Sequence, residues 1–276
     1  MSLVFTTTSC DMDLTPDSAV PEHEALRTID DCDAWVVGIY SAFKNSALYS
    51  GYMTLLPDIQ ADMAYAALNT NNGFYTNIYQ WDIKSTTDEI IAVYNGLYTI
   101  VARCNFFLDY KDQVEVNLKT TADKDNFKKR LGEVYFARAM AYAELIRLFC
   151  EPMTSVNADT ENMGICLPTT YRDDVPKVKR STLRESYNQI ISDLKSAEDN
   201  LPDSRTVADS HYFSKGAVYA LRARIYMYMG MGDLKRDRNN EYLKKSVEAA
   251  TKVIKLGVYE LSDAINNAFV IDSKYY

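Results

Sequence analysis

Residues 124–149 read KDNFKKRLGEVYFARAMAYAELIRLF, and this stretch decides the fold. Phe127, Leu131, Val134, Tyr142, Leu145 and Phe149 recur at intervals that place them on one face of an α-helix. Ala137, Ala139, Ala141 and Ala143 keep the helix slim enough for neighbours to approach, and Pro152 forbids its continuation. Arg138 falls on the apolar stripe, four residues before Tyr142 and seven after Leu131, where a cation is costly without a partner. It is expected to be a buried guanidinium held by a carboxylate or by backbone carbonyls. Its expected role is structural, joining this helix to a neighbour.

The same period extends outward in both directions. Upstream, a helix is predicted over 28–49, opened by Thr28 with Asp31, and another from Thr86, whose partner Glu89 completes a capping box. The latter repeats Ile90, Val93, Leu97, Val101, Cys104 and Leu108. Downstream, residues 151–180 hold three prolines and no clean period, so they read as a long ordered connection. A further helix over 182–201 begins with Thr182 and Glu185 and stops before Pro202. The last two, over 214–229 and 242–256, flank the turn Gly230-Met231-Gly232-Asp233. Ala217, Ala220 and Ala223 on one, with Ala249 and Ala250 on the other, should let the pair approach closely in antiparallel fashion. The fold class is therefore all-α: a degenerate tetratricopeptide-like helix-turn-helix array with long ordered loops, allowing for one small hairpin turned at Asn72-Gly73.

Composition narrows the function. The 276 residues are 47% hydrophobic and carry a net charge of −8, which argues against nucleic acid as a partner. No apolar run approaches the ~18 residues of a membrane-spanning helix. With only His23 and His211, no metal-ligand spacing and no zincin, nucleophile-elbow, P-loop or dinucleotide motif, neither a metal, a cofactor nor an enzyme is expected. An all-helical glycoside hydrolase would need more helices than these. Cys32, Cys104, Cys150 and Cys166 sit in or beside apolar stretches and read as free thiols. Cys10 differs, because it follows VFTTTS and precedes a polar stretch, the arrangement of a bacterial lipoprotein cleavage site. Residues 1–9 would then be a signal-peptide remnant or cloning leader, 10–27 a lipidated tether beginning at Cys10, and 28–276 the helical domain.

Three segments together resemble the SusD/RagB family: 130–149, RLGEVYFARAMAYAELIRLF; 98–109, YTIVARCNFFLD; and 213–226, FSKGAVYALRARIY, with the later AATKVI of 249–254. Two departures stand out. The family's Gly-x-x-Pro after the Leu-Phe pair is replaced by Cys150-Glu151-Pro152, and the family normally continues well past the length of this chain, so it reads either as an N-terminal half or as an abbreviated member. The resemblance implies a surface-exposed lipoprotein on a bacterial outer membrane, anchored through Cys10, which holds oligosaccharides for a SusC-like TonB-dependent transporter. In some relatives the cargo is peptide. A repeat scaffold that binds only protein inside the cell is the rival reading.

The candidate ligand site lies in 63–81, nineteen positions without a charged residue. Aromatic rings cover the C–H faces of sugars while neutral amides read hydroxyls. The candidates are Tyr65, Asn69, Asn71, Asn72, Tyr75, Tyr79 and Trp81. The competing expectation is that Phe74 and Trp81 merely seal a hairpin onto the helices. The resemblance agrees on the place, since starch-binding relatives carry an aromatic platform after a Leu-Pro-x-Asp stretch similar to Leu56-Pro57-Asp58 and Asp62. Residues 269–276, FVIDSKYY, are expected to pack back on the last helix pair or to make an intermolecular contact.

Overall fold

The computed structural model describes residues 21–66, 73–171, 179–206, 209, 211–232 and 238–259. Cys10, the leader, the start of the tether and the 269–276 stretch lie outside them. After a 3-10 turn (Glu22–Glu24), the described helices are α1 (Ile29–Phe43), α2 (Tyr52–Gln60), α3 (Thr76–Tyr79), α4 (Asp88–Glu115), α5 (Thr121–Phe149), α6 (Leu183–Asn200), α7 (Lys215–Met231) and α8 (Asn240–Lys255). No strand occurs among the described residues, only an isolated bridge between Cys166 and Arg180.

Consecutive long helices run antiparallel. Along α4 and α5, Tyr94 meets Phe149 while Phe107 meets Phe127. Along α5 and α6, Arg138 meets Asp193, and Gly132 leaves no room for a Cβ, which would lie 2.8 Å from the Leu201 side chain. In the last pair, Gly230 sits under Leu243 and the Ser246 hydroxyl donates to the Ala223 carbonyl at 2.8 Å. Close approach in that pair thus comes from a glycine and a serine. Ala249 is buried, but Ala220 and Ala250 face solvent, contrary to the alanine-lined interface expected from sequence. α1 lies across α4 and α5, with the Trp35 ring stacked on Phe106 at 4.3 Å and its indole N–H donating to the Arg103 carbonyl.

Local signals explain most boundaries. Thr28 with Asp31, Thr120 with Asp123 and Thr182 with Glu185 each form a reciprocal capping box. The box expected at Thr86 and Glu89 is not formed; Thr87 caps α4, and its hydroxyl instead accepts the Lys84 N–H, folding the preceding turn. α1 stops at Phe43, short of the expected residue 49, because Asn45 turns the chain by accepting the Ala47 N–H. At the end of α5 the Arg180 guanidinium donates to the Phe149 carbonyl, closing the turn where the family's glycine is absent. By length and composition α4 could cross a membrane, unlike the reading of its sequence, yet it serves as core: Leu97, Ile100, Val101, Cys104 and Phe107 are buried. Thr182→Ala should cost about 1 kcal/mol, the usual loss of a threonine cap. Urea unfolding followed by circular dichroism would show it as a lowered midpoint at unchanged slope.

The Arg138 guanidinium is buried at the centre of this array. It donates in parallel to both carboxylate oxygens of Asp193 on α6, at 2.9 and 2.7 Å, and to the Asn105 side-chain oxygen on α4 at 2.8 Å. Asn105 in turn donates to the Pro168 carbonyl at 2.6 Å, which the Tyr142 hydroxyl also reaches. One network thereby ties three helices to the long connection between α5 and α6. A second cluster holds the segment before α7: buried Glu133 lies between the guanidinium groups of Arg130 and Arg205, and both arginines stand over the Tyr212 ring.

Candidate functional site

Between α1 and α4 the chain leaves the array on a long excursion, residues 44–87, that carries the candidate site. Leu48 plugs it into the main core, and the Tyr49 hydroxyl donates to Glu144 at 3.1 Å. Gly51 opens α2 because a Cβ there would meet the Ser46 carbonyl oxygen at 2.1 Å. Met53, Leu56 and Ile59 form the buried side of α2. Leu56 and Ile59 join Ile78, which is 0% exposed, in a small core of their own, flanked by Tyr52, Tyr75 and Tyr79. Such satellite cores beneath long loops are held by few contacts and open more readily than the main core.

Three of the four non-glycine residues with positive φ among the described residues occur here: Asp62 (58°), Tyr75 (59°) and Trp81 (58°). A bulky aromatic in the left-handed region is costly, and such outliers concentrate at functional sites. Several rings of this excursion face solvent, Trp81 among them. Tyr65 is 79% exposed, Phe74 68% and Trp81 64%. Tyr75 is half-buried, its ring edge-on to Tyr52 at 6.1 Å and tilted against Phe74 at 6.2 Å. Burial first, then the neighbouring Tyr52, pushes the Tyr75 phenol up, so it remains a neutral hydroxyl near neutral pH.

The structure therefore divides the sequence candidates. Tyr65 and Trp81 present open faces, Tyr75 stands between them in chain order with one edge packed, and Tyr79 is drawn inward against the Ile78 core. Asn69, Asn71 and Asn72 lie outside the described residues. Of the hairpin expected about Asn72-Gly73, the described second arm is not a strand but the helical turn α3, whose Thr76 hydroxyl donates back to the Gly73 carbonyl at 2.9 Å. Nor do Phe74 and Trp81 act as its seal, since both are exposed. α2 and the left-handed positions escaped the sequence reading. Pro57 disguised the helix, although a proline in the middle of an apolar i, i+3, i+6 series (Met53, Leu56, Ile59) was a usable hint.

Gly51→Ala tests how the site is supported. Because the new Cβ collides with backbone rather than with a flexible side chain, α2 cannot enter at its present angle. Amide exchange in α2 and α3 should accelerate by about tenfold or more while α5 keeps its protection. Equal protection in both variants would show that the entry turn can adjust.

Comparison with known proteins matches residues 12–227 to the SusD-like family described as starch-binding and associating with the outer membrane. SusD-like protein P2 of Formosa agariphila is 22% identical over 230 residues, covering 83% of this chain and 42% of that protein. Among solved structures, a SusD homolog from Bacteroides thetaiotaomicron superposes with a TM-score of 0.72 at 21% identity, over 90% of this chain and 44% of the other. A laminarin-binding SusD-like protein superposes with a TM-score of 0.67 at 19% identity, covering 91% of this chain and 50% of its own. The chain thus spans about half the length of these relatives or less. A family match that runs through α1 to α6 and most of α7, together with solved structures of the same fold, leads to one conclusion: this chain belongs to the SusD/RagB family of SusD-like proteins.

Proposed function

We propose that the chain captures oligosaccharides without catalysis, on an exposed aromatic platform formed by Tyr65, Tyr75 and Trp81 with Phe74 beside them. One observation carries this reading: Tyr65, Phe74 and Trp81, rings that would ordinarily be buried, stand exposed on one uncharged segment, Trp81 on left-handed backbone that the scaffold holds in place. Neutral sugar rings gain C–H contact with such faces and lose little hydration, whereas a charged ligand would find no counter-ion between residues 63 and 81. The laminarin-binding relative supports a glucan-like cargo. Attachment to an outer membrane through lipidated Cys10, and delivery to a SusC-like TonB-dependent transporter, complete the reading and rest on the family alone.

A glycan microarray probed with the purified protein, followed by calorimetric titration of the best neutral β- and α-glucan oligosaccharides, tests it. Saturable binding of a neutral oligosaccharide is expected. Binding confined to peptides, or to no glycan on the array, would remove the reading.

A further inference from the structure

A groove of about 310 Å³ lies between α2, the start of α4 and the end of α5. Pro57, Val93, Leu148 and Phe149 give it apolar walls, and four polar side chains share the lining with them. The Lys84 ammonium is paired with Asp82 at 3.1 Å and no carboxylate lines the groove, so it offers a ligand no unpaired charge. The Tyr52 hydroxyl, the Gln60 amide and the Ser85 hydroxyl are neutral, and none of the three makes a side-chain hydrogen bond among the described residues. Nor are they sealed off, because no buried side-chain nitrogen or oxygen among the described residues lacks a partner, and Ser85 is exposed. They stand open to a partner from outside. Tyr52 also joins the groove to the platform: its ring meets Tyr75 edge-on at 6.1 Å, so a molecule lying on Tyr75 has the groove one ring away.

These features select among occupants. An apolar side chain would cover the hydroxyls and the amide and leave them without water or partner, which is costly. A charged group would find no counter-charge. A sugar ring matches the lining, with C–H faces for the apolar walls and hydroxyls for the neutral donors and acceptors. The volume lies at the small end of ligand pockets, which begin near about 300 Å³, so the end of a chain fits and the rest must lie elsewhere.

We infer that the groove is an end subsite of the platform, which takes the last ring of a neutral oligosaccharide whose other residues lie on the platform itself. The inference rests on the platform reading and adds to it a selection for chain length. Only a chain long enough to pass Tyr52 reaches the Gln60 amide and the Ser85 hydroxyl, so short members of a series use the platform alone.

The test is calorimetric titration with two ladders, laminari- and malto-oligosaccharides from the disaccharide to the heptasaccharide. Each is measured with the natural protein, with Gln60→Leu, which removes the amide and keeps its bulk, and with Ser85→Trp, which fills the rim from an exposed position. In the ladder that binds, affinity is expected to rise by about tenfold in one step, at the length that reaches the groove. Both variants should remove that step and leave the affinities of the shorter members and the melting temperature as they were. If Gln60→Leu lowers the melting temperature, Ser85→Trp alone decides. An affinity that does not change with length, or a step that survives Ser85→Trp, would overturn the subsite, and a loss of affinity at every length in Trp81→Gly would show that the platform still stands. No binding at any length removes the platform reading and the subsite with it. Saturable binding of N-acetyl-leucinamide that Ser85→Trp abolishes, without a step in either ladder, would assign the groove to an apolar side chain and overturn the sugar subsite.

Discussion

Arg138→Ala is expected to destabilise the protein by about 3–5 kcal/mol, the range seen when one partner of a buried charged pair is removed. The Asp193 carboxylate would then remain buried with only the Gln189 amide, at 3.0 Å, among the contacts that now hold it. The Asn105 side-chain oxygen would lose its donor as well, and with it the link between α4 and α5 that orients the amide toward Pro168. A domain of this kind has roughly 5–15 kcal/mol of stability in total, so the loss is a large fraction of it. Urea unfolding monitored by tryptophan fluorescence gives the value. A second variant separates pairing from burial: replacing both partners, Arg138→Met with Asp193→Leu, should cost much less than Arg138→Ala, because no charge is left unpaired. A cost below about 1 kcal/mol for Arg138→Ala would mean that water reaches Asp193 and that the network is not a structural tie.

The part of this network on α5 was legible from sequence, since a charged residue at a core position of an amphipathic helix demands a partner. Its identity was not. Asp193 lies 55 residues away on α6, and only the packing of two antiparallel helices brings it within reach. The same contrast holds throughout. Strong periodicity declared the buried face of α5 and a capping box declared the start of α6, although the α5 cap at Thr120 went unread, whereas α2, nine residues long with a proline inside, offered too short a pattern. In the candidate site, the sequence singled out the uncharged aromatic segment, but it could not say which rings would face solvent. Trp81, for one, faces solvent from a positive φ that tryptophan does not adopt by local preference. The small core that joins Ile78 to Leu56 and Ile59 of α2 anchors the segment from a neighbouring helix. An exposed-aromatic site is therefore hard to read from sequence for a physical reason: its defining feature is a tertiary override of local propensity.

That override supplies the sharpest test of the platform. Trp81→Gly removes a ring that is 64% exposed and places at φ 58° the one residue for which that conformation carries no steric cost. Relief of left-handed strain, about 1–2 kcal/mol, opposes the greater entropy that glycine loses on folding and the few contacts the ring makes. Stability should consequently stay level or rise by up to about 1 kcal/mol. Affinity for the best neutral oligosaccharide should fall about tenfold, because a stacked ring contributes roughly 1–2 kcal/mol of contact and each 1.4 kcal/mol is a factor of ten. Tyr65→Ala, also at an open face, should lose affinity comparably at unchanged stability, and the two together should approach a hundredfold if both rings touch the same ligand. Ile78→Ala provides the contrast: it opens a cavity in the satellite core, so it should lower stability of the excursion and affinity together. Calorimetric titration paired with thermal melting reads both quantities for every variant. A Trp81→Gly protein that binds as tightly as the natural one would show that the ring is held outward for something other than sugar, and a marked fall in its melting temperature would show that Trp81 supports the fold rather than the ligand.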